Sequence, residues 1–237
     1  MYVCTCARVA GASTEAQLRN VFLKCVTPGA DINVGAIGGS ITEHDDSWAG
    51  NFSALLSHLC PRAQVRMHNG ARASHGALTL GLCARAVMAP ELDIAMLEFS
   101  LNDQGQYTLP NGTFSSLPYE LATRTVLTGT DPTPAVFGIS FWGRSFTYDS
   151  AQPYHEEVHK LYGVTGISLR DMVWPYFSKG RAPFATKADV CSDVHHPNAF
   201  VHGLTAQVSA HTNMNELTWK VEVEVQHGAT RADCSEV

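Results

Sequence analysis

Residues 31–42 read DINVGAIGGSIT, a short apolar run that ends in two glycines and a serine. Ile32 to Ile37 is too short for a helix and lacks a 3.6-residue period, so it reads as a buried strand. Gly38 and Gly39 stop the strand and let the chain turn sharply, leaving the backbone N–H of Ser40 free. The neighbouring segments decide which kind of sheet the strand joins.

Upstream, Thr14-Glu-Ala-Gln17 has the form of a capping box and opens a helix through Ala16–Val26. Downstream, Trp48, Phe52, Leu55, Leu56 and Leu59 recur at helical spacing across Ser47–Cys60, which stops at Pro61. A strand over Gln64–His68, a turn at Asn69-Gly70 and a helix through Ala77–Met88 come next. Leu92–Phe99 reads as a third strand and Asn102–Ser116 as a polar loop before a helix near Pro118–Leu127. Ala135–Phe141 is a fourth strand, Tyr154–Tyr162 a short helix, Val164–Ser168 a fifth strand, and Ala199–His211 a closing helix.

Strand and helix alternate, and the strands are continuous apolar runs. Such strands are buried on both faces, as in a parallel sheet covered by helices. The expected fold is α/β: a flavodoxin-like three-layer α/β/α sandwich on a five-stranded parallel sheet. The stretch Leu217–Val225 alternates and reads as an extra C-terminal strand. The division expected is an N-terminal extension with a helix over 1–30, the main domain over 31–212, and a C-terminal tail over 213–237.

Composition narrows the function. The 237 residues carry a net charge of −6 with no Lys/Arg cluster, which argues against a nucleic-acid partner. No apolar run reaches the ~18 residues that would span a bilayer. The opening MYVCTCARVAGASTEAQ lacks the basic and apolar regions of a secretory signal. The expectation is therefore a soluble chain with no signal peptide visible, although an internal cut from a longer protein would read the same way. Seven cysteines are scattered; Cys25, Cys60 and Cys83 sit in apolar surroundings, where free cysteine acts as a small hydrophobe. Of two glycosylation sequons, at Asn51 and Asn111, the first falls inside an expected helix.

In an open parallel sheet, ligands bind beyond the carboxyl ends of the strands. There the sequence delivers Gly38-Gly39-Ser40, Asn69-Gly70-Ala71-Arg72-Ala73-Ser74 and Ser100-Leu101-Asn102-Asp103, with Asp193-Val-His-His196-Pro-Asn198 before the last helix. A serine hydroxyl becomes nucleophilic when a histidine takes its proton and a carboxylate holds that histidine's tautomer. Asp193 and His196, three residues apart, suit the last two roles. The tetrahedral intermediate of acyl transfer needs donors aimed at its oxyanion; the Ser40 N–H, a backbone N–H near Ser74 and the Asn102 amide are candidates. No metal or organic cofactor is called for.

The blocks GGSIT, NGARAS, FSLND and DVHHPN, in this order and after these strands, resemble the SGNH (GDSL-type) hydrolase superfamily, from about Asp31 to Gln207. The resemblance implies Ser40 as nucleophile, Asn102 in the oxyanion hole, and Asp193 and His196 as the Asp-x-x-His pair. Gly39 departs from the family's usual aspartate. The second oxyanion position falls on Ser74, with Ala73 the alternative. The implied activity is a serine esterase acting on small or carbohydrate O-acyl esters. An acyltransferase using the same site and a catalytically silent glycan-binding relative are the alternatives. His195 competes with His196 for the base and reads as a neighbour of the site. Trp48, Tyr107, Phe141 and Trp142 could line the pocket or lie in the core.

One motif points elsewhere. His155, Glu156 and His159 spell H-E-x-x-H, which on a helix can hold zinc with the glutamate as base. The helix is short, Tyr162 stands where the extended motif needs glycine, and a third ligand is lacking nearby. The stretch reads as a solvated charged face with Val158, Leu161 and Tyr162 packing inward.

Overall fold

A computed structural model describes residues 12–129 and 131–212. Five strands run parallel: β1 (Asp31–Gly38), β2 (Gln64–Asn69), β3 (Ile94–Glu98), β4 (Ala135–Ser140) and β5 (Thr165–Ser168). Their order is β2-β1-β3-β4-β5. The register sets Gly38 beside Glu98, Glu98 beside Ile139, and Ser140 beside Ser168, so the strands' carboxyl ends form one rim. The Leu217–Val225 strand expected from the sequence lies outside the described residues.

The inner strands β1, β3 and β4 are buried on both faces, which is why they read as apolar runs, whereas the edge strand β2 (QVRMHN) has no fully buried residue. On β3, Ile94 and Met96 face one core, while Ala95 and Leu97 face the other. The first core is covered by α1 (Ala12–Val26), α3 (Trp48–Leu59), α8 (Leu169–Phe177) and α9 (199–212), with Leu18, Phe52, Val173 and Val201 fully or nearly buried. The second is covered by α4 (Ala77–Val87), α6 (Leu117–Gly129) and α7 (Gln152–Tyr162). Trp48, Phe141 and Trp142 belong wholly to the core, so three of the aromatics considered for the pocket serve packing instead. Tyr107 also serves structure, its hydroxyl accepting a bond from the Leu78 N–H.

Four expectations need correction. The loop expected over Asn102–Ser116 begins as a helix, α5 (Ser100–Gln106). Ser100, Asn102 and Asp103 are buried there, and Ser100 bonds both the Phe141 N–H (2.8 Å) and its carbonyl (3.1 Å). A one-turn helix, α2 (Ser40–Glu43), follows β1 directly, and α8 forms despite Pro175 near its end. In α8 the Ser168 side chain caps the helix by accepting from the Asp171 N–H.

The third correction concerns cysteine. Cys25 and Cys60 form a disulfide that ties the end of α1 to the end of α3. No spacing signals this pair, which is 35 residues apart; packing of both helices on one face of the sheet brings the sulfurs together.

The fourth concerns α7, which turns its histidines inward. His155 is 1% exposed and His159 7%, whereas Leu161 is 70% exposed. Gly138 makes room for His159: a Cβ there would stand 2.1 Å from its Nε2. His159 bonds the Tyr119 hydroxyl at 2.8 Å, and burial pushes its pKa down to about 3, with His155 adding to the effect. His155 bonds Asp103 at 3.0 Å and stacks on Tyr119 at 3.7 Å between ring centres. Each imidazole therefore has a partner inside the protein. Among the described residues no group of three or more His, Cys, Asp and Glu could hold a metal ion.

Candidate functional site

Ser40 is the first residue of α2, so its N–H is among the amides that a helix start leaves unpaired. The turn that presents it is fixed from both sides. Arg72 N–H donates to the Gly38 carbonyl at 3.0 Å, and the Asn69 amide donates to the Thr42 carbonyl at 2.7 Å. Thr42 donates to the buried Glu98 carboxyl at 3.0 Å, and the Gly39 N–H bonds the same group. Burial raises the Glu98 pKa to about 7 against these two bonds, with Asp103 adding slightly.

Gly39 and Asn102 approach each other closely. A Cβ on Gly39 would stand 2.2 Å from Asn102 Oδ1 and 2.9 Å from its Nδ2.

Across 156 residues of sequence, Ser40 Oγ and His196 Nε2 lie 2.8 Å apart. His196 Nδ1 meets Asp193 Oδ2 at 2.7 Å. The other Asp193 oxygen accepts the N–H groups of His195 (2.9 Å) and His196 (2.8 Å). These backbone bonds, then the His196 ring, hold the Asp193 carboxyl well below the usual carboxylate range. Asp193 therefore stays ionised. The loop is pinned by Trp142 Nε1, which donates to the His195 carbonyl at 2.7 Å, and by Ser192 N–H, which donates to the His196 carbonyl at 2.9 Å. Capping of α9 falls to Asn198, whose side chain accepts the Val201 N–H, so Asp193 is not needed there.

Ser40, Ser74, Asn102 and His196 line one cleft of about 540 Å³ together with Ala73, Leu101, Gln106, Arg144 and His195. His195 thus borders the cleft, as expected of a neighbour. Asn102 is 8% exposed, and its Oδ1 lacks a hydrogen-bond partner. Ser74 adopts φ 62°, an uncommon conformation for a serine, and its carbonyl accepts from Gln106 at 2.8 Å. The Ala73 N–H donates to Glu43 at 3.1 Å, whereas the Ser74 N–H meets no acceptor among the described residues.

Behind this wall, Asp103 joins several parts. Its Oδ1 accepts the Ala77 N–H at 2.8 Å, at the start of α4, while its Oδ2 meets His155. Asp103 is fully buried and adjoins Asn102 in sequence. One carboxyl thus anchors the segments bearing Ser74 and Asn102 against α7.

Sequence reasoning did not select Arg144, Gln106 or Leu101 as lining residues. Arg144 stands four residues beyond β4, on the same rim that supplied the other candidates, so the strand-end rule could have found it.

No protein-family model matches the chain, and no curated protein matches it. Solved structures do. A two-domain esterase active on acetylated mannans, crystallised with mannopentaose, superposes with a TM-score of 0.74 at 22% identity over 85% of this chain. The match covers 54% of that protein, so this chain spans about half its length. The acetyl xylan esterase AlAXEase gives 0.59 at 14% identity, covering 75% of this chain and 98% of its own. Axe2, an acetylxylan esterase from Geobacillus stearothermophilus, gives 0.54 at 16% identity over 81% and 95%. At these identities the likeness is one of fold: a three-layer α/β sandwich on a parallel sheet.

Proposed function

We propose that this chain is a serine esterase of the SGNH type that removes O-acyl groups, in particular O-acetyl groups from carbohydrates. The observation that carries this reading is the unbroken line Ser40 Oγ to His196 Nε2 (2.8 Å) and His196 Nδ1 to Asp193 Oδ2 (2.7 Å) at the mouth of a cleft. The folds shared with esterases of acetylated mannan and xylan support the choice of substrate class.

In this reading, Ser40 Oγ attacks the ester carbonyl while His196 Nε2 takes its proton. The Ser40 N–H, the Ser74 N–H and the Asn102 amide donate to the oxyanion that forms. The intermediate collapses, the alcohol leaves with the proton from His196, and an acyl group remains on Ser40. Water, activated by the same imidazole, then releases the acid and restores the serine. Asp193 holds the ring throughout and stabilises its cationic form.

The test is hydrolysis of p-nitrophenyl acetate with and without a chelator, beside the Ser40→Ala variant. The expected outcome is chelator-insensitive turnover that falls by at least about 10³-fold in the variant, since the nucleophile is lost. A fluorophosphonate should label Ser40, as mapped by mass spectrometry. Chelator-sensitive hydrolysis that survives the substitution would overturn the reading.

A further inference from the structure

The geometry points to a carboxylate-binding subsite at Arg144, placed to hold an acidic group on the alcohol portion of the substrate; this rests on the esterase reading of the cleft. Arg144 lines the cleft with Ser40 and His196. Among the described residues Arg144 forms no ion pair, as is also true of Arg62, Arg72, Arg85 and Arg181, but it is the one arginine of these that lines the cleft. Its guanidinium offers a planar fork of donors that suits a carboxylate bound in this cleft.

The backbone is built to present it. Arg144 sits in a tight turn closed by Gly143 N–H donating to the Thr147 carbonyl at 2.9 Å. Ser145 and Phe146 adopt φ 61° and 60°, a left-handed pair without glycine that persists only when its surroundings enforce it. The enforcement is visible: the Phe146 ring is 7% exposed and packs on Trp142 at 5.0 Å and Phe177 at 4.8 Å. Gln104 accepts the Arg144 N–H at 3.2 Å and donates to the Asp149 carbonyl at 2.7 Å. Across the gap, a Cβ on Gly105 would stand 3.0 Å from Arg144 Nη1 and 3.2 Å from its Cδ. The side chain thus lies along α5, where glycine leaves it room.

Its side of the cleft identifies the part of the substrate it meets. Arg144 lines the same cleft as His195, whose ring centre lies 4.4 Å from that of His196. His196 must protonate the departing alcohol, so the alcohol lies on the histidine side of the cleft. A planar fork of donors there suits a carboxylate on that alcohol. The substrate class that follows is an acetylated uronic acid residue.

A matched pair of substrates tests this. Mono-O-acetyl galacturonate and mono-O-acetyl galactose share one ring and differ in bearing a carboxylate or a hydroxymethyl group. The wild type should favour the acid in kcat/KM by about ten- to a hundredfold, the value of a charge-assisted bond. That ratio should fall toward one in Arg144→Ala, be partly kept in Arg144→Lys, and shrink with added salt. Equal rates with the two esters, or an unchanged ratio in Arg144→Ala, would overturn the subsite. If neither ester is cleaved, the esterase reading fails by itself, and the subsite is decided by NMR titration of Ser40→Ala with galacturonate and galactose. Saturable shifts with the acid alone, lost when Arg144→Ala is added, support it; no response to the acid overturns it.

Discussion

At the scale of single residues, the site depends on atoms held within a few tenths of an ångström. Asn102 and Gly39 show this as a pair, since one occupies the space the other leaves. Gly39→Ala should displace the Asn102 amide or the Ser40 turn, and a shift of that size costs on the order of 10²-fold in kcat. In the proposed mechanism, Asn102→Ala should cost about 10²–10³-fold in kcat with KM little changed, because an oxyanion donor acts mainly in the transition state. Steady-state kinetics on p-nitrophenyl acetate read both. Gly39→Ala with unaltered kcat would mean that Asn102 has slack the geometry denies. The sequence offered Ser40, Asn102, Asp193 and His196 because their identities and spacing are local. Arg144 carried no such mark, and the choice between Ala73 and Ser74 rests on a bond to Glu43 that only the folded chain contains.

At the scale of elements, two links tie helices together. The disulfide Cys25–Cys60 joins α1 to α3 and closes a loop 35 residues long, so its reduction should cost about 2–4 kcal/mol in urea unfolding. The second link is the pair Asp103–His155. His155→Leu leaves a fully buried carboxyl short of one partner, a cost of about 1–3 kcal/mol. Because Asp103 also holds the start of α4 and adjoins Asn102, the same variant should lower kcat on the order of tenfold or more with KM nearly constant. His155→Gln, which can still donate to Asp103, should recover part of that loss, whereas general loosening of the fold would raise KM and spare no isostere. The H-E-x-x-H pattern misled in one respect: its histidines are core residues, and their inward turn depends on Gly138 and Tyr119, far away in sequence.

At the scale of the whole molecule, two buried groups on opposite sides of the sheet oppose each other in pH dependence. Glu98 is raised from 4.5 to about 7, so the folded state holds a proton that the unfolded chain has lost between those values. His159 is lowered from 6.5 to about 3, so the unfolded chain holds a proton that the folded state lacks over that range. Stability falls with rising pH through the first group and rises with pH through the second. Between pH 4.5 and 6.5 the two slopes cancel, leaving stability nearly flat as far as these groups decide it. Glu98→Gln should expose the histidine's slope, with stability lower by about 3 kcal/mol at pH 4.5 than at 6.5; His159→Gln should show the reverse. Urea midpoints at the two pH values measure this, and parallel behaviour of both variants would refute it. The sequence by itself determined the alternation of five strands with helices, and with it a parallel sheet whose rim receives four candidate groups, because strand length, periodicity and turn residues are properties of neighbours along the chain. Only the tertiary structure decided that Ser40 meets His196, that Cys25 meets Cys60, that α7 buries its histidines, and that an unpaired arginine looks into the cleft. Those contacts span tens to more than a hundred residues, and they are fixed by how each crossover packs its helix on the sheet rather than by any local preference of the residues concerned.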